Sequence, residues 1–135
     1  RSFTLDVYDP LLDVKGVELL TLLPGTRIEF LSWAGASAID IGHEVDAHSP
    51  AFEETAAIMK HLDLVITSDT SIAHLAASLG TTVCVLLNFA GEWRWVAHPA
   101  ARLPQINVLR QPVMGDWATV VHKITEKLRV KIGNK

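Results

Sequence analysis

"DLVITSDTSIAHLAASLG", residues 63–80, sets an apolar run, a polar knot and an alanine-rich segment end to end. The run "DLVIT" is short, apolar and without alternation, as expected of a strand covered on both faces. "SIAHLAASLG" carries helical spacing and closes on Gly80, where a helix stops. Ser68-Asp69-Thr70-Ser71 fills the junction, and His74 falls in the first helical turn. Strand, junction and helix together make half of a βαβ unit.

Two readings of the junction compete. Ser, Thr and Asp oxygens before a helix accept its unpaired N–H groups, so helix capping alone accounts for them. The alternative is an anion site. In open parallel sheets ligands lie beyond the carboxyl ends of the strands, where the next helix begins. If Thr70 or Ser71 caps the helix, the N–H groups of Ser71, Ile72 and Ala73 point outward, and the Thr70 and Ser71 hydroxyls add donors suited to phosphate oxygens. His74 is placed to reach the same anion. Asp69 repels a diphosphate, so it is better read as orienting the loop or bonding a sugar or His74. Spacing alone does not choose between the two readings.

Outward from this segment the rhythm continues. "TTVCVLLNF" is a second strand and "INVLRQ" a last one. "GDWATVVHKITEKLRVKI" is a closing helix with Asp116 as cap and Trp117, Val120, Val121, Ile124 and Leu128 facing inward. Upstream, "SPAFEETAAIMKHL" reads as a helix with Ser49 as N-cap, Pro50 at its first position and Phe52, Ala56 and Met59 on one stripe. "TLDVYDPLLDVKG" suggests a short helix with Leu5, Tyr8, Leu11 and Leu12 on one face, stopped at Gly16. "VELLTLL" reads as a buried strand, "TRIEFLSWAG" as a short helix and "SAIDIG" as a short strand. Unalternating strands separated by helices predict an α/β, Rossmann-like fold: a mostly parallel sheet with helices on both faces.

The chain has 135 residues, a hydrophobic fraction of 49% and a net charge of −3, the numbers of a folded single domain over 1–135. No global positive field attracts nucleic acid, so an anionic ligand has to be held locally. The single cysteine, Cys84, lies inside "TVCVLL" and reads as core, which leaves no intrachain disulfide and no cysteine-based zinc site. No stretch reads as a membrane span or a secretory signal. Because the chain opens at Arg1-Ser2 without methionine, the expectation is a piece of a longer protein, truncated at its N-terminus.

The stretch "ETAAIMKHLDLVITSDTSIAHLAASLGTTVCVLL" resembles the C-terminal half of family 9 glycosyltransferases, the group that includes the lipopolysaccharide heptosyltransferases. Members carry a strand ending in Asp-Ser/Thr-Gly, two variable residues, then His-Leu-Ala-Ala and a glycine before the next strand. Asp69, Thr70, His74, Leu75, Ala76, Ala77 and Gly80 stand in that register. "FAGEWRWVAHP" and "LRQPVMGDW" are similar to the family-9-like domains at the C-terminus of bacterial tetratricopeptide-repeat proteins. The resemblance covers roughly residues 49–129.

It implies a GT-B architecture, in which two Rossmann-like domains face a cleft and the C-terminal one holds a nucleotide-diphospho-sugar donor. It also implies an inverting, metal-independent transfer in the bacterial cytoplasm. The partners implied are the nucleotide sugar, an upstream Rossmann-like domain that supplies the general base, and tetratricopeptide repeats. No cofactor and no metal are expected, and this piece by itself is expected to be inactive. The implied diphosphate-binding residues are Asp69, Thr70, Ser71 and His74. Ser71 replaces the usual glycine, which takes backbone freedom and space from the phosphate but offers another hydroxyl.

Secondary candidates for donor binding are Glu53 and Glu54 toward a ribose, Trp93 and Arg94 toward base and phosphate, and Arg110, with Gln111 beside it at a strand end. Against them stand ordinary roles: first-turn acids for the glutamates and core packing for Trp95. His43, Glu44, Asp46 and His48 read better as a solvated turn than as a metal site. The rival function is a non-catalytic binding or interaction module of the same fold. A flavodoxin-like or epimerase domain shares the fold but has no motif of its own here.

Overall fold

The computed structural model describes residues 5–22, 27–35, 38–41, 53–68, 71–89 and 104–133. Its organising element is the strand Val83–Leu87, whose residues are all buried. A run of Val-Cys-Val-Leu-Leu cannot have a wet face, so it must be paired on both edges and covered on both sides. In chain order the strands are β1 (Leu20–Thr21), β2 (Ile39–Asp40), β3 (Val65–Ser68), β4 (Val83–Leu87) and β5 (Ile106–Arg110). The helices are α1 (Asp9–Leu12), α2 (Arg27–Ala34), α3 (Glu53–Met59), α4 (Ser71–Ser78) and α5 (Trp117–Gly133). The chain divides into two compact units, residues 56–120 and residues 1–55 with 121–135.

In the first of these, β3, β4 and β5 form a parallel sheet in that order, with Val65 opposite Val83 and Val83 opposite Ile106. Helices flank the sheet, so the predicted α/β, Rossmann-like class is what the chain adopts. Ala73, Ala76 and Ala77 of α4 are buried, and α4 packs on β3 and β4. Small side chains let the helix backbone come close to the sheet.

Helix α4 ends as its glycine predicts. Gly80 has φ +77; its N–H donates to Ala77 O at 3.1 Å, and Thr81 N–H donates to Ala76 O at 3.1 Å. This paired closure satisfies two terminal carbonyls and requires a left-handed residue. Thr81 then enters the core, where its hydroxyl donates to Met59 O at 3.1 Å and ties the end of α3 to the approach of β4. Cys84 is fully buried, as its setting in an apolar strand foretells.

In the other unit β1 and β2 pair in parallel, Leu20 opposite Ile39. Tyr8, Phe30 and Trp33 form an aromatic cluster: the Tyr8 and Trp33 rings meet edge-on at 6.3 Å and those of Phe30 and Trp33 are tilted at 6.2 Å. Trp33 Nε1 donates to Asp9 Oδ1 at 2.8 Å. Helix α1 ends at Leu12 with Asp13 as its C-cap, so Gly16, expected as its stop, lies three residues further on in the following turn, at φ +84. Within residues 56–120, helix α5 starts on its predicted cap: Thr119 N–H donates to Asp116 Oδ1 at 3.0 Å and Thr119 Oγ1 donates to Oδ2 at 2.6 Å. These bonds from Thr119 hold the Asp116 carboxyl below its ordinary range. Val120, Val121, Ile124 and Leu128 are buried, the predicted inward stripe.

Three expectations are corrected, and a fourth is met over its described residues. "VELLTLL" is not a buried strand: among the described residues only Leu20 and Thr21 pair with β2, and both are half-buried. Leu12 is 42% exposed while Leu11 is buried. The segment begins as a 3-10 turn, Leu5–Tyr8, and three-residue periodicity aligns Leu5, Tyr8 and Leu11 but leaves Leu12 off the face. Trp117 is half-buried rather than core, since it is the first residue of α5 and too large to be enclosed there. The helix expected from Ser49 runs over Glu53–Met59; Ser49, Pro50 and Phe52 lie outside the described residues.

Two consequences can be measured. Met59 has no exposed surface, so Met59→Ala is expected to cost about 2–5 kcal/mol in urea unfolding, and a loss below about 1 kcal/mol would contradict this packing. Tyr8 is the only tyrosine, and burial pushes its phenol up to about 12. Because the folded value lies above the ordinary value of about 10, this burial stabilises the fold fully below pH 10 and progressively less up to 12. Tyrosinate absorbance should therefore titrate near 12 in the native protein and near 10 in denaturant; coincident curves would show an open ring.

Candidate functional site

The parallel register brings the carboxyl ends of three strands to one edge. Ser68 stands opposite Leu86, and Leu87 opposite Arg110. Residues that follow those ends therefore share the edge: Ser71, where α4 opens after β3; Asn88 and Phe89 after β4; Arg110 and Gln111 at the end of β5. In a parallel sheet every helix that follows a strand points its N-terminus at this edge, so free N–H donors and positive dipole ends accumulate there.

Of the residues proposed for a diphosphate, Ser71 is the first of α4 and is exposed; His74 is exposed one turn later. Residues three apart share a helix face, and the buried Ala73, Ala76 and Ala77 turn that face away from the sheet. Asp69 and Thr70 lie outside the described residues, as do Trp93, Arg94 and Trp95 and the His43, Glu44, Asp46 and His48 group.

Arg110 is the exposed last residue of β5. It brings a planar cation to the carboxyl edge, suited to bidentate contact with phosphate. Glu53 and Glu54 open α3, the first exposed and the second half-buried, and their place in the first turn suits the helix dipole. Among the described residues no group of three or more His, Cys, Asp or Glu side chains could hold a metal ion, and no helix is long and apolar enough to cross a membrane.

Gln111 corrects its expected role. Placed beside Arg110 as a cleft-facing residue, it is instead only 4% exposed. Its Oε1 accepts from Phe89 N–H at 2.9 Å and from Gly115 N–H at 3.3 Å. A glutamine at the end of a strand alternates inward as readily as outward, and here the inward side offers it two backbone donors.

Asn88 and Phe89, to which the sequence pattern assigns no role, directly follow the wholly buried β4. Phe89 is 46% exposed, a large aromatic standing in solvent at the edge. The abrupt end of the "VCVLL" run is the signal that marks them in the sequence.

Residues 50–90 match the family model of glycosyltransferase family 9 (heptosyltransferase). That span contains α3, β3, α4 and β4, so the similarity falls on the strand-to-helix junction and the central strand. No curated protein and no solved structure matches the chain.

The described candidates sit on the surface, so His74→Ala and Arg110→Ala are expected to change unfolding free energy by no more than about 1 kcal/mol. A larger loss in either variant would assign that side chain to the fold rather than to a ligand.

Proposed function

We propose that this chain is the donor-binding part of an inverting, metal-independent glycosyltransferase of GT-B architecture that uses a nucleotide-diphospho-sugar. The observation that carries the reading is the family 9 match over residues 50–90, falling on a β3–α4 junction whose exposed helix face presents Ser71 and His74. Arg110 at the end of β5 on the same edge supports it. An upstream Rossmann-like domain completes the active site in this reading, and bacterial tetratricopeptide repeats are the expected company of the parent protein in the cytoplasm.

The chemistry follows from charge. An acceptor hydroxyl, deprotonated by a base on the other domain, attacks the anomeric carbon from the face opposite the diphosphate. The bond from that carbon to the diphosphate oxygen breaks, and the configuration inverts. The departing nucleoside diphosphate gathers negative charge, and fixed donors aimed at that charge lower the barrier. The α4 N-terminal N–H groups, the Ser71 hydroxyl, His74 and Arg110 supply such donors, with Asp69 and Thr70 completing the junction. Side-chain and backbone donors then take the place a metal ion fills in other transferases.

The second reading is a binding module of the same fold that has lost turnover. Ser71 favours it, since its Cβ stands where family members leave open space.

A backbone amide NMR titration of the whole chain with UDP, ADP, GDP and CDP tests the proposal. Saturable shifts at Ser71–His74 and Arg110 with one nucleotide are expected, and His74→Ala should weaken that binding roughly tenfold or more, the scale of one charge-assisted hydrogen bond. A folded chain with no shift at these amides for any nucleotide would reject donor binding by this chain and leave the module reading.

A further inference from the structure

Gln111 does more than fill space. Its backbone N–H donates to Leu87 O at 3.0 Å, extending the β4–β5 ladder by one bond. Its side chain then turns inward, and its Oε1 accepts from Phe89 N–H and from Gly115 N–H at 2.9 and 3.3 Å. Both neighbours are donors, so the carboxamide must present its oxygen to them. One buried oxygen thus holds the backbone just past β4 and the turn that follows β5.

That turn continues the chain of constraint. Gly115 adopts φ +86; Asp116 N–H donates to Val113 O at 3.1 Å, and Asp116 caps α5. The segment between Arg110 and α5 is therefore pinned at Gln111 and again at the helix cap. Without the Gln111 oxygen, the Phe89 and Gly115 N–H groups lose their shared acceptor.

We propose that Gln111 is a positioning residue for the ligand site at the carboxyl edge. Resting on the donor-binding reading above, it locks the Phe89 backbone to the 112–115 turn, so that Arg110 and the aromatic ring at the end of β4 meet a nucleoside diphosphate in one fixed arrangement. It touches no ligand itself. A preorganised site loses affinity when its supporting contacts loosen, although every contacting group is still present.

The test compares Gln111→Leu, which keeps the bulk and removes the acceptor, with Gln111→Glu, which keeps an oxygen in the same place. Amide hydrogen exchange on the full chain should show protection falling at Phe89 and Gly115 together in Gln111→Leu and returning in Gln111→Glu. Titrations with UDP, ADP, GDP and CDP should show affinity for the nucleotide that the wild-type chain binds about tenfold weaker in Gln111→Leu, the scale of one lost buried hydrogen bond, with rescue in Gln111→Glu. A cooperative thermal transition in both variants separates this from unfolding.

Loss of protection at only one of the two amides overturns the latch. Joint loss of protection with unchanged affinity overturns the positioning role. If the wild-type chain binds none of UDP, ADP, GDP and CDP, the donor reading fails and the positioning role fails with it, while joint loss of protection would still identify Gln111 as the latch between the two segments.

Discussion

The constraint on which the described sheet depends is the burial of β4. Five consecutive residues without a polar side chain cannot tolerate water on either face, and their backbone groups cannot go unpaired. Both demands are met in one way: β3 and β5 pair with it from either side, and helices cover it. The rest of that unit serves this arrangement. The alanines of α4 bring a helix close, the Gly80 closure turns the chain back in few residues, and the Thr81 hydroxyl anchors α3 where β4 begins.

The same constraint creates the site. Parallel pairing points every strand in one direction, so the ends of β3, β4 and β5 come out at one edge and the helix after β3 opens there. Packing determines the inner face of α4 and leaves the outer one, where Ser71 and His74 stand, exposed. His74 and Arg110 are both exposed. The buried Ala73, Ala76 and Ala77 are accounted for by the fold alone.

Much of this was legible in advance because it rests on local pattern. The β3 and β4 runs, the stop at Gly80, the Asp116 cap and the inward stripe of α5 each follow from residues within one or two turns of one another. Leu12 and the "VELLTLL" segment were misread for the complementary reason. Periodicity says which residues can share a face, but not whether a turn winds with three or 3.6 residues, nor how much of an apolar run finds a partner strand. Trp117 shows the limit of a stripe, since a position at the end of a helix has less around it than one in the middle.

The sequence by itself determined the α/β class, the parallel strands of the central sheet and the junction at residues 68–74, because each is written in neighbouring residues with one dominant physical preference. Only the tertiary structure decided that Gln111 turns inward while Arg110 stays out, that Phe89 stands exposed at the end of the most buried strand, and that one oxygen joins the two segments. Such facts depend on which backbone donors the fold brings within hydrogen-bond reach across 22 residues of chain, a distance at which no sequence pattern carries information about geometry.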